Sequence, residues 1–304
     1  SDTCPPEFRQ LVDALASHAT VTSSLDEALA ASGAIAEPLR RDYGVSMIRR
    51  TNEAGGHNYF ISLLDDRTID GYIPLAVKAG SVMIFDPVTG ESGVADYREG
   101  KVRLNLTPGR SLLLKTFPGQ VDAPAWRYLE PKGKPSAINK GWKLTFAKSE
   151  PAIEGTFDIG TIRPWTDLPL PEAKINSGTA IYSTTFNVGN PDKADEWMLD
   201  LGDVREVAAV KVNGRYAGTA WCVPYCLNIG KWLHKGKNTI EIEVTSLDAN
   251  RIADYERRGV KWRVFKDANI NSVTGAREFS FGDWDLVPCG LNSSVTLTPM
   301  KITK

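Results

Sequence analysis

The spacing of apolar residues changes near residue 45. Before it, Phe8, Leu11, Val12 and Leu15 recur at helical spacing, so one face of a helix is apolar. Pro5 and Pro6 suit its start. A short β-like stretch, Ala19-Thr20-Val21-Thr22, follows. Ser24-Leu25-Asp26-Glu27 then forms a capping box, in which Ser24 accepts from the backbone and Glu27 reaches back to it. Leu25, Ala28 and Leu29 make the next apolar stripe, and Gly33 suits the left-handed residue that ends a helix. Helix, strand and helix over so few residues cannot close a core alone. Residues 1–44 therefore read as the helical tail of an α/β domain whose remainder lies upstream, which makes the chain a piece of a longer protein.

From Val45 the period becomes two. Strands are expected at 45–51 and 57–64, joined by the Gly-rich loop at Gly55-Gly56, then at 72–77, 81–85, 94–97, 102–106 and 111–117. Turn residues such as Asp86-Pro87-Val88-Thr89-Gly90 and Thr107-Pro108-Gly109 separate them. Short strands with regular turns predict a small β-sandwich over 45–118. Residues 119–140, rich in proline and glycine, read as a linker. A second β-domain over 141–304 has strands at 142–147, 180–188, 196–200, 206–212, 215–220, 225–229, 239–246 and 294–298. Asn213-Gly214 between two of them is a strong hairpin signal. About eight strands with long connections suit a jelly roll. The fold class is thus mainly β: two antiparallel β-sandwiches, the second a jelly roll, preceded by a short α/β remnant.

Charge excludes some functions. Lysine and arginine number 36 against 37 acidic residues, for a formal net charge of −1. They are well mixed, so no basic stripe offers a nucleic-acid surface. No run of about 18 apolar residues spans a membrane. Cys4, Cys222, Cys226 and Cys289 lack zinc-site spacing. They read as buried or free thiols, with a Cys222–Cys226 or Cys226–Cys289 bridge as the alternatives.

No catalytic centre stands out. His18, His57 and His234 lie in separate regions, no serine sits in a nucleophile elbow, and nothing in the spacing of the carboxylates selects an acid/base pair. The aromatic residues are more informative, because sugar rings have apolar faces that stack on aromatic planes. Residues 248–290 form a long insertion with a short polar helical stretch at 251–258. Trp262, Val264, Phe265, Phe279, Phe281 and Trp284 make it too apolar to stay solvated, and long loops in compact domains are usually functional or disordered. Together with Trp221 and Tyr225 it is expected to form a carbohydrate-binding rim, with Arg251, Trp262, Arg263, Asp283, Trp284 and Asp285 as the contacts. The alternative is that these aromatics only pack the insertion onto the sandwich. Asp283 and Asp285 flank Trp284 and would share a face of an extended strand, as sugar-hydroxyl or calcium contacts or as surface charges. No cofactor is expected other than a structural calcium ion.

Several motifs resemble known families. The run Trp197-Met198-Leu199-Asp200-Leu201-Gly202-Asp203-Val204, then Val210-Lys211-Val212-Asn213-Gly214, Pro224-Tyr225 and Lys235-Gly236-Lys237-Asn238, is similar to the sugar-binding, galactose-binding-like jelly roll of glycoside hydrolase family 2. Ser177-Gly178-Thr179-Ala180-Ile181-Tyr182 with Phe186, Asn250-Arg251-Ile252, Ile48-Arg49-Arg50-Thr51 and Asp86-Pro87-Val88-Thr89-Gly90 resemble the C-terminal region of family 106 α-L-rhamnosidases. The chain departs from that pattern at Phe85, Asn228 and the segment 289–295. The resemblance implies a non-catalytic C-terminal region that supports an upstream catalytic barrel of the same protein and contacts a plant or microbial polysaccharide containing rhamnose. It also implies a periplasmic or extracellular location. The competing reading is a stand-alone carbohydrate-binding or structural β-sandwich protein.

Overall fold

The computed structural model describes residues 5–19, 22–262 and 280–303. Cys4, Arg263, Val264, Phe265 and Phe279, and the centre of the β-like stretch at 20–21, lie outside the described residues. The chain divides into two compact units. One holds residues 1–64, 68–106 and 111–126, the other 65–67, 107–110 and 127–304. No described helix is long and apolar enough to cross a membrane.

The first unit opens with three helices: α1 (Pro6–His18), α2 (Leu25–Ala31) and α3 (Pro38–Arg41). The expected capping serine is in place, since the Glu27 backbone N–H donates to Ser24 Oγ. Neither α1 nor α2 has a buried residue. α3 differs, because Leu39 is fully buried. Just before it, Glu37 pairs with Arg49 at 2.8 Å and accepts from the Tyr59 hydroxyl at 3.2 Å and the Ala76 N–H at 3.1 Å. The segment 37–39 therefore belongs to the sandwich rather than to the helical tail assigned to 1–44.

Eight strands follow: β1 (Ser46–Thr51), β2 (His57–Ser62), β3 (Ile69–Pro74), β4 (Ser81–Phe85), β5 (Ser92–Val94), β6 (Tyr97–Arg98), β7 (Lys101–Leu106) and β8 (Ser111–Phe117). They form a five-stranded sheet in the order β1-β2-β8-β4-β5 and a three-stranded sheet in the order β3-β7-β6. All their pairings are antiparallel. The two-residue period is plain in β7, where Val102, Leu104 and Leu106 are buried and the residues between them are not. The strand expected at 72–77 starts three residues earlier, and the one expected at 94–97 is split, because Ala95 and Asp96 leave the ladder between β5 and β6.

The second unit carries β9 (Tyr128–Pro131), β10 (Ser136–Ile138), β11 (Trp142–Glu150), β12 (Thr156–Gly160), α4 (Pro171–Lys174), β13 (Ser177–Val188), β14 (Glu196–Asp200), β15 (Val204–Arg205), β16 (Val207–Val212), β17 (Arg215–Ala220), β18 (Cys226–Asn228), β19 (Gly236–Thr245), α5 (Ala249–Arg257), β20 (Gly290–Leu291) and β21 (Val295–Thr303). A six-stranded sheet, β12-β11-β13-β19-β16-β17, is accompanied by one in the order β10-β21-β14-β18, with β9 also on β21. Leu144, Ala180, Tyr182, Val210, Ile242 and Val244 from the first sheet share one buried core with Leu199, Val295 and Leu297 from the second, which makes the unit a β-sandwich. Trp142 is fully buried and its indole N–H donates to the Ile138 carbonyl at 2.8 Å. The hairpin at Asn213-Gly214 uses positive φ at both residues, 53° and 74°, as a type I′ turn requires.

The expected linker needs correction. From Arg127 onward it is part of the second unit, and β9 and β10 pair with β21. Proline at 131 and 135 hides this, since both strands are short and draw their partners from a strand far along the sequence. None of Cys222, Cys226 and Cys289 is in a disulfide, so neither proposed bridge is made. Burial pushes the Cys226 thiol up to about 12 and the Cys289 thiol up to about 11.

Candidate functional site

The long insertion after β19 is organised by α5. Asn250, Ala253 and Asp254 sit at helical spacing and are its buried stripe. Asn250 is 1% exposed and treats the returning chain as a strand edge. Its side-chain amide donates to the Val287 carbonyl at 2.9 Å, and its carbonyl oxygen accepts from the Val287 N–H at 2.9 Å. It also reaches Cys289 Sγ at 3.5 Å. One buried amide thus fixes both ends of the insertion.

Arg251, read from sequence as a sugar contact, is occupied by the protein itself. It donates to Asp254 at 3.0 Å and to Glu150 of β11 at 2.9 Å. Its guanidinium lies 4.4 Å from the centre of the Tyr255 ring, and the Tyr255 hydroxyl donates to the same Glu150 oxygen. These hydrogen bonds, first from Tyr255 and then from Arg251, hold the Glu150 carboxyl below its ordinary range. Arg251 therefore locks the helix onto the sheet and is no part of an open rim. Tyr225 is also corrected: it is only 9% exposed and belongs to the sandwich core. Burial, followed by the nearby Glu206, raises its hydroxyl pKa.

The other end of α5 builds an aromatic stack. Glu256 accepts from the Trp262 indole N–H at 3.2 Å, the Ser280 hydroxyl at 2.9 Å and the Phe281 N–H at 2.8 Å. Phe281 lies 5.7 Å from Trp262, centre to centre. On its other side it meets Trp284 edge-on at 4.6 Å and 79°. Arg257 donates to the carbonyls of Gly282 at 2.8 Å and Trp284 at 2.5 Å. Trp284 remains 41% exposed, between the exposed Asp283 and Asp285.

Of the sequence-predicted contacts, the structure brings together Trp262, Asp283, Trp284 and Asp285. Trp221 is 56% exposed, on the loop between β17 and β18. Sequence reasoning missed the organisers Asn250, Glu256 and Arg257. A buried asparagine that pairs with distant backbone has no local signature, and Glu256 and Arg257 look like ordinary helix-surface charges. Among the described residues no three His, Cys, Asp or Glu side chains converge on a point that could hold a metal. What the arrangement offers is an apolar ring face beside carboxylate acceptors, suited to the C–H face and hydroxyls of a sugar.

Known proteins bear on this end of the sandwich. A putative β-glucuronidase from Formosa agariphila is 32% identical over 154 residues, which is 46% of this chain and 13% of that protein. The solved rhamnosidase from Novosphingobium sp. PP1Y shares the fold over 96% of this chain at a TM-score of 0.72 and 24% identity. The chain spans 28% of that rhamnosidase's length. Residues 170–293, which include α5, the aromatic stack and the strands that carry them, match the family described as glycosyl hydrolase 2 galactose-binding domain-like.

Proposed function

We propose that this chain is the non-catalytic β-region of a glycoside hydrolase of the α-L-rhamnosidase kind, which supports a catalytic barrel of the same protein and contacts carbohydrate. The observation that carries the carbohydrate contact is Trp284, exposed and braced by Phe281 between two carboxylates. A ring fixed in place before binding loses little freedom when a sugar stacks on it. The natural ligand on this reading is a rhamnose-containing plant or microbial polysaccharide, met in the periplasm or outside the cell.

Titration calorimetry with a rhamnose-containing oligosaccharide tests the contact. The chain binds it, and Trp284→Ala weakens binding by about tenfold, within the range of a lost aromatic anchor. In the same preparation aryl rhamnosides are not cleaved above background. Unchanged affinity in a folded Trp284→Ala variant would make the stack a purely structural device. Turnover abolished by a single Asp or Glu substitution would refute the non-catalytic role.

A further inference from the structure

A shallow groove of about 380 Å³ runs beside the aromatic stack, lined by Pro169, Leu170, Pro171, Lys174, Ile175, Arg257 and Leu286. None of these residues was singled out by the sequence pattern. Most of the described lining is apolar, and no carboxylate is among those residues. Lys174, in the last turn of α4, is exposed, and among the described residues neither it nor Arg257 has a carboxylate partner. Two unneutralised cations on an apolar floor are a selective combination. A neutral sugar offers the cations hydroxyl acceptors but no charge to pair with, and a small inorganic anion gains nothing from the prolines and leucines.

We propose that this groove binds the carboxylate of an acidic sugar, a uronate residue of the glycan. Its C–H face lies on Pro169, Leu170, Pro171 and Leu286, and its carboxylate meets Lys174 and Arg257. Arg257 is already oriented, because Nε and Nη2 are anchored on the carbonyls of Gly282 and Trp284. Its Nη1 edge has donors to spare, as a guanidinium carries five. Lys174 adds a point charge on a flexible stem that can follow the ligand. The same guanidinium that holds the Trp284 segment thus faces the groove, so the two surfaces form one run: a neutral ring on Trp284 and an acidic neighbour beside it. This inference rests on the carbohydrate reading above and adds the ligand's charge to it.

The test uses the full chain, with digalacturonate and its methyl ester as probes, beside the rhamnose-containing oligosaccharide. Digalacturonate binds at least about tenfold more tightly than the ester, and more weakly as salt rises, since a partly exposed charge pair is screened. Lys174→Glu removes the preference and Lys174→Arg keeps it, while neither alters binding of the neutral oligosaccharide. Lys174 is exposed and contributes nothing to the core, so these variants fold. Equal affinity for acid and ester, or a preference that survives Lys174→Glu, overturns the inference. If the neutral oligosaccharide still binds in that case, the carbohydrate reading stands. If nothing binds, both fall.

Discussion

Gly290 shows how much one position can hold. Its φ of +100° already disfavours a side chain. A Cβ there would come within 2.1 Å of the Tyr182 hydroxyl and 2.9 Å of Trp165 Cε3. Tyr182 and Trp165 are fully buried, and the Tyr182 hydroxyl donates to the Arg163 carbonyl at 3.1 Å, so neither can move aside cheaply. Gly290→Ala is expected to cost about 3 kcal/mol or more, at the upper end for overpacking. Gly214 also has positive φ, 74°, but nothing within 4 Å of its Cβ position, so Gly214→Ala is expected to cost only about 1 kcal/mol. Urea unfolding of the two variants measures the contrast, and equal losses would contradict it. Gly214 was legible because Asn213-Gly214 is a local signal. Gly290 was not, because what it must avoid lies more than 100 residues away.

At the scale of elements, local apolar patterning and turn residues were enough for β1, β2, β4, β7, β8, β13 and β16. They failed for β9, β10, β15 and β20, which are short and owe their strand conformation to a distant neighbour, and for β12, which pairs with the adjacent β11. α5 lies between these cases. Its polar surface suggested a helix at 251–258, and the structure begins it two residues earlier, at Ala249. Its attachment to β11 carries a pH signature. The Glu150 carboxyl is held below its ordinary value of 4.5, so its charged form is the one the fold favours. Its contribution is complete above that value and is lost as pH falls through the lowered one. Glu150→Gln is therefore expected to lower the melting temperature at pH 7, by a difference that shrinks as pH falls below the ordinary value. A difference that persists unchanged in acid would show that the ion pair is not its source.

The whole molecule is two β-units of different make. The first joins sequence neighbours in three of its six strand pairings, β1 with β2, β4 with β5 and β6 with β7. The second closes around β21, which lies between β10 and β14 and also carries β9. A chain stopped before Val295 deprives three strands of their common neighbour. It is expected to leave the near-ultraviolet signal of Trp142 and Trp165 unstructured, which circular dichroism would show. A truncated chain that kept native tertiary signal would refute the central place of β21. Ser136 hydrogen-bonds to the Leu297 carbonyl across 161 residues. At a synthesis rate of about 5–20 residues per second, the β10 segment waits on the order of 8 to 30 seconds at the ribosome before its neighbour exists. During that interval apolar faces destined for the core are open to water and to other nascent chains, so this unit is exposed to aggregation during synthesis for longer than a sandwich closed by neighbouring strands.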